Sequence, residues 1–171
     1  MQELTTAIQL EDKIFICPKP VLTRRFLLEN GISVVINMTG FDLDPIPDVK
    51  IENLSLSADE LLEEEIPRAK EKISNIAAKL AYYVNIGVKC ALVCNTGINK
   101  SGVVFGCYLR SRLQPCETLA YIHDASVRAG MNLLTNQSFK KILHERKKLT
   151  PVCTCWTQSV YDYRSQTGID Y

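Results

Sequence analysis

The chain has 171 residues, with 20 basic against 19 acidic side chains, a net charge of +1, and 46% hydrophobic and 23% charged residues. Those values fit one globular domain with a sizeable core, and the near-neutral balance suggests neither a nucleic-acid footprint nor a membrane-surface patch. The start, MQELTTAIQLEDK, has no basic region followed by a long apolar stretch, and no apolar run is long enough to span a bilayer. The expected location is therefore cytoplasmic or nuclear, and nothing in the sequence fixes an oligomeric state.

In chain order, Ile14, Phe15 and Ile16 read as a short first strand stopped by Pro18 and Pro20. Pro20 suits a first helical position and Gly31 the position after a last one, which predicts a short helix over 20–30 with Leu22, Phe26 and Leu27 inward. Ile32 to Met38 is nearly all apolar and β-branched, as a central strand covered on both faces would be. Gly40 to Asp48, with Pro45 and Pro47, reads as a loop. Leu54 and Leu56 alternate with Asn53, Ser55 and Ser57, which predicts another strand. From Leu62 the apolar positions Ile66, Ala69, Ile73, Ile76, Leu80 and Tyr83 recur in steps of three and four. They mark an amphipathic helix whose regular part starts within a turn of Pro67.

Cys90 to Val93 is a short apolar strand, Cys94 to Lys100 is small, polar and glycine-containing, and 102–112 is expected to be a helix buried almost all round. Two amphipathic helices are expected over 118–128 and 138–148, with Leu119, Ile122, Phe139, Ile142 and Leu143 inward. Strands alternating with helices give the α/β class, a central and mostly parallel sheet flanked by helices on both faces. Ligands of such sheets lie at the carboxyl ends of the strands, where Cys94 falls.

A loop that leads straight from a strand into a helix presents unpaired N–H groups and the positive end of the helix dipole, and so tends to cradle an anion. A cysteine there is favoured as thiolate, the nucleophilic form. By itself, though, a cysteine ending an apolar strand is more often a small buried hydrophobe, so the flanks must decide its meaning. The seven cysteines, an odd number without a secretory signal, read as mostly free thiols in a reducing compartment. Cys153-Thr154-Cys155 has no histidine in ligand spacing, and no metal site is expected. The sequons at Asn37, Asn53 and Asn136 read as unmodified.

Cys94, five residues, Lys100 and then Ser101 resemble the Cys-x5-Arg-Ser/Thr loop of the cysteine-dependent protein tyrosine phosphatases, with Gly97 where that loop has its glycine. More widely, 9–149 is similar to a dual-specificity phosphatase domain, with 150–171 a polar tail. Ile14-Phe15-Ile16 looks like the family's first strand, and Asn30-Gly31-Ile32 followed by Val35-Ile36-Asn37-Met38 is similar to its next. Ala120 through Arg128 and Asn136-Gln137-Ser138-Phe139 resemble its last two helices. The resemblance implies a dual-specificity-phosphatase-like α/β fold and cofactor-free hydrolysis of phosphate monoesters on phosphoprotein (Tyr, Ser or Thr). It implies Cys94 as nucleophile and Ser101 as its helper in the second step. The amides of Asn95, Thr96, Gly97, Ile98, Asn99, Lys100 and Ser101, with the Lys100 cation, would form the phosphate cradle. Asp59 is the candidate general acid and Glu63 the second choice, although Ser57-x-x-Glu60 also has the form of a helix capping box.

Three positions depart from the family. Lys100 replaces an arginine whose fork makes two parallel hydrogen bonds to phosphate, a loss on the order of 10²–10³-fold by analogy with deleting one transition-state donor. Val93 replaces the histidine before the cysteine. The acid's register is lost, and a missing general acid costs about 10²–10⁴-fold. Three functions stay open: a weak phosphatase, a pseudophosphatase that holds phosphorylated partners as a scaffold, or an interaction domain that uses only its outer surface, with Cys94 inert.

Overall fold

A computed structural model describes residues 6–56, 63–130 and 132–145. Its sheet has five strands, β1 (Ile8–Glu11), β2 (Ile14–Pro18), β3 (Ile32–Asn37), β4 (Lys50–Asn53) and β5 (Lys89–Cys94), in the order β1-β2-β5-β3-β4. Only β1 runs antiparallel, paired with β2. The helices are α1 (Arg24–Glu29), α2 (Ile66–Asn85), α3 (Asn99–Leu109), α4 (Pro115–Ala129) and α5 (Gln137–His144).

Strand periodicity separates two cores. Ile14 and Ile16 of β2, Val34 and Ile36 of β3, and Cys90, Leu92 and Cys94 of β5 face one side, packed with α2 to α5. Phe15 and Cys17, Val35, and Ala91 and Val93 face the other, where α1 contributes Leu27. Both faces are covered, which is why the central strands read as almost unbroken apolar runs. Cys94 falls on the four-helix side, so the chain leaves β5 directly into α3.

The mostly parallel sheet agrees with the sequence reading, while several boundaries differ. β1 was not foreseen: its alternation is short, and Leu10 is its one buried residue. The helix expected over 20–30 is a 3-10 turn, Lys19–Val21, followed by α1, because Thr23 accepts a hydrogen bond from the Phe26 N–H and so caps the helix three residues after Pro20. The strand expected at 53–57 is β4, three residues earlier. It is an edge strand with an irregular burial pattern, located by its pairing with β3 and not by its own periodicity. α2 starts at Ile66, as Pro67 requires. α3 starts at Asn99 instead of Gly102, which shortens the loop after Cys94 to residues 95–98. α4 begins earlier, at Pro115, through a reciprocal capping box between Gln114 and Glu117. α5 ends at His144; the expected continuation to 148, the tail 150–171 and its Cys153–Cys155 pair lie outside the described residues.

The three sequon asparagines are engaged in the fold. Asn37 is buried and donates to the Phe41 carbonyl and to Asn53 Oδ1, while Asn136 caps α5 by accepting from the Phe139 N–H.

Candidate active site

The site is built at the carboxyl end of β5. Its neighbours in the sheet fix where that end lies: Cys94 is in register with Pro18 of β2, and the Met38 N–H, just after β3, donates to the Val93 carbonyl at 2.8 Å. Cys94 is 2% exposed and closes the strand. The chain then turns through Asn95 to Ile98, with Gly97 at φ +73°, a left-handed conformation that a β-carbon disfavours, and enters α3. Lys100 and Ser101 lie in the first turn of that helix, where backbone N–H groups lack intrahelical partners.

Ser101 is fully buried, and its hydroxyl donates to Cys94 Sγ at 3.2 Å. This contact joins the last residue of β5 to the third residue of α3 and closes the loop on itself. Lys100 stands between Asn99 and Ser101 and is half-buried. Of the residues singled out in the sequence, the structure thus brings together Cys94, the turn 95–98, Asn99, Lys100 and Ser101. Asp59 lies outside the described residues. Glu63 is almost fully exposed in a 3-10 turn, Glu63–Glu65, where its carboxylate stands 3.5 Å from Lys141 Nζ of α5.

The residue before Cys94 has a local explanation. Val93 points away from Cys94, into the second core with Phe15, Cys17, Leu27 and Val35, and is fully buried. An imidazole there would need a hydrogen-bond partner inside an apolar cluster, so valine stabilises this core where histidine would cost. Apolar surroundings act on the other strand thiols too: burial pushes both Cys17 and Cys90 up to about 12. Cys17 neighbours Val93 in the sheet but faces the second core, on the opposite side from Cys94.

Two features around the site were not legible in the sequence. The Asn99 side chain accepts three hydrogen bonds from Thr135 and Asn136, in the connection between α4 and α5. Gly102 lies so close to that connection that a β-carbon built on it would be 2.2 Å from the Leu133 carbonyl oxygen. Both are tertiary contacts more than 30 residues apart in sequence. Elsewhere, an open groove of ≈630 Å³ is lined by Cys116, Leu119, His123 and Val127 of α4 and His144 of α5, and holds no residue of the Cys94 loop.

No family model matches the chain, and no curated protein matches it in sequence. Its fold is nonetheless shared with solved structures. A structure of DUSP15 superposes with a TM-score of 0.68 at 14% identity, covering 94% of each chain. Human DUSP28 gives 0.63 at 14% identity over 90% of this chain and 97% of that one. Orf virus OH1, described as a tyrosine phosphatase with triple substrate specificity, gives 0.63 at 15% identity over 84% of this chain and 87% of that one. A five-stranded, mostly parallel sheet with helices on both faces is thus a fold this chain shares with the dual-specificity phosphatases.

Proposed function

We propose that this chain is a dual-specificity-phosphatase-like domain that binds phosphate monoesters of phosphoproteins at the Cys94 loop and hydrolyses them slowly. The observation that carries the reading is the Ser101 hydroxyl donating to Cys94 Sγ at 3.2 Å across a loop that opens a helix. In the first step the Cys94 thiolate forms a bond to phosphorus as the ester P–O bond breaks, and the leaving oxygen takes a proton, with Asp59 as the assigned donor. In the second step water adds to phosphorus and the S–P bond breaks, releasing inorganic phosphate and the thiolate, which the Ser101 hydroxyl stabilises. The amides of Asn95 to Ser101 and the Lys100 ammonium hold the phosphate oxygens.

Lys100 and Val93 favour a second reading, a pseudophosphatase that retains a phosphorylated partner. An ammonium is a point charge that holds a ground-state anion but matches the spreading equatorial oxygens less well than a guanidinium. Human tyrosine phosphatase-like serine/threonine/tyrosine-interacting protein shares the fold with a TM-score of 0.57 at 18% identity over 91% of this chain and 97% of that one.

The test is hydrolysis of an aryl phosphate from pH 5 to 8 by wild type, Cys94→Ser and Lys100→Arg. A good leaving group removes the need for the acid and isolates nucleophile and cradle. Turnover by wild type that Cys94→Ser abolishes supports the enzyme. A silent wild type that Lys100→Arg awakens supports the binding module. If all three are silent and phosphate leaves the melting temperature unchanged, both readings fall, since a ligand of the native state must stabilise it.

A further inference from the structure

The phosphate-cradle reading uses only the backbone amide of Asn99, yet its side chain makes the most connected polar junction of the site. Asn99 Oδ1 accepts from the Thr135 N–H at 2.8 Å, the Thr135 hydroxyl at 3.1 Å and the Asn136 N–H at 2.8 Å. That segment is itself held. Ser126 Oγ accepts from the Leu133 N–H at 2.9 Å and donates to the Ile122 carbonyl at 2.7 Å, and Asn136 caps α5 through the Phe139 N–H at 3.0 Å. Against it, Gly102 packs with no room for a β-carbon. α3 is therefore gripped at Asn99 and at Gly102, and the two residues between these grips are Lys100 and Ser101.

The grip matters because α3 has no cap of its own. Its N-cap residue is Ile98, which has no side-chain acceptor and makes no side-chain capping bond. An uncapped first turn tends to fray, and this one carries the groups assigned to the anion. We infer that Asn99 is a positioning residue: its side-chain oxygen anchors the first turn of α3 to Thr135 and Asn136, and so holds the 95–101 amides, Lys100 and Ser101 in the arrangement that binds a tetrahedral oxyanion. This rests on the phosphate reading above and adds the element that preorganises it.

The experiment compares wild type, Asn99→Ala and Asn99→Asp in the full chain by hydrogen exchange of the 95–101 amides without ligand, by affinity for inorganic phosphate and orthovanadate, and by melting temperature. Asn99→Ala is expected to speed loop exchange and weaken both oxyanions by roughly five- to tenfold, the range one or two neutral hydrogen bonds supply. Asn99→Asp keeps the acceptor and should restore exchange protection, while its negative charge lowers anion affinity. A lower melting temperature for Asn99→Ala, with loop exchange and phosphate affinity both unchanged, would show a merely structural role and overturn the inference. Loop exchange in Asn99→Asp as fast as in Asn99→Ala would also overturn it. Wild type that binds neither oxyanion overturns the phosphate reading and positioning for it; the ligand-free exchange data distinguish that result from a failed anchor. If Asn99→Ala does not fold, Thr135→Ala removes one donor from outside the loop: a loss of about twofold in phosphate affinity supports the anchor, and no loss refutes it.

Discussion

Gly102→Ala sets two effects of opposite sign against each other. Gly102 lies inside α3, where alanine is favoured over glycine by roughly 0.5–1 kcal/mol, so helix propensity alone predicts a higher melting temperature. Packing predicts the reverse. The new β-carbon would stand 2.2 Å from the Leu133 carbonyl oxygen and 3.2 Å from its carbon. Even close C–H···O contacts keep carbon and oxygen about 3.3–3.6 Å apart, so backbone must move by about 1 Å. The Leu133 carbonyl cannot rotate away, because the Ser126 bond and the three bonds onto Asn99 hold its segment. Overpacking of this kind costs about 1–3 kcal/mol, and displacing the segment weakens those bonds at about 0.5–1.5 kcal/mol each. After the propensity gain, the net loss is about 2–4 kcal/mol. For a chain of this size that is a fall of roughly 5–15 °C in melting temperature, read by calorimetry. Gly106→Ala is the internal comparison: the atoms nearest its β-carbon are the ends of the Leu143 and Ile122 side chains, which give way more readily than backbone. It should cost clearly less. A Gly102→Ala protein as stable as wild type, or equal losses for the two variants, would refute the argument.

Three further outcomes are expected. Ser101→Ala removes the donor on Cys94; under the hydrolytic mechanism proposed above, where this bond stabilises the departing thiolate by about 1.5–3 kcal/mol, steady-state turnover should fall about 10- to 100-fold with a burst of released alcohol, and unchanged turnover would remove Ser101 from the second step. Glu52 on β4, 14% exposed, is pushed up by burial but held down more strongly by hydrogen bonds from Lys79, Tyr83 and Lys50, leaving it at about 2 against an ordinary 4.5. A depressed carboxylate stabilises the fold above its unfolded value and loses that contribution as pH falls from about 4.5 toward about 2. The melting-temperature gap between wild type and Glu52→Gln should therefore narrow over that window, and a constant gap would contradict it. Cys17 and Cys90, raised to about 12 by burial, should resist iodoacetamide at pH 7.5 in the native protein and react after denaturation; mass spectrometry that finds either modified natively would refute this.

The Cys94 loop was legible because it combines two local signals, a short apolar run ending abruptly and a helix buried nearly all round, with a polar glycine-containing turn between them. The same locality explains the helix α2, whose spacing of three and four is intrinsic to the segment. β4 was misplaced because an edge strand half open to solvent has little alternation to read, and its position is set by hydrogen bonds to Val34–Asn37. The three-residue shift in the start of α3 has the same origin. Asn99 is a poor helix former with a polar side chain and reads as loop, until the acceptor it offers to Thr135 and Asn136 makes the helical conformation favourable there.

Period-2 and period-3.6 hydrophobicity, with the helix-stopping prolines and glycines, thus determined by themselves the α/β class, the main elements and the point in the chain where chemistry is possible. Those patterns depend only on near neighbours. Which donors meet the Asn99 oxygen, which side chains pack around Val93, and how close Ser101 comes to the thiol depend on segments brought together by packing, and only the tertiary structure could decide them.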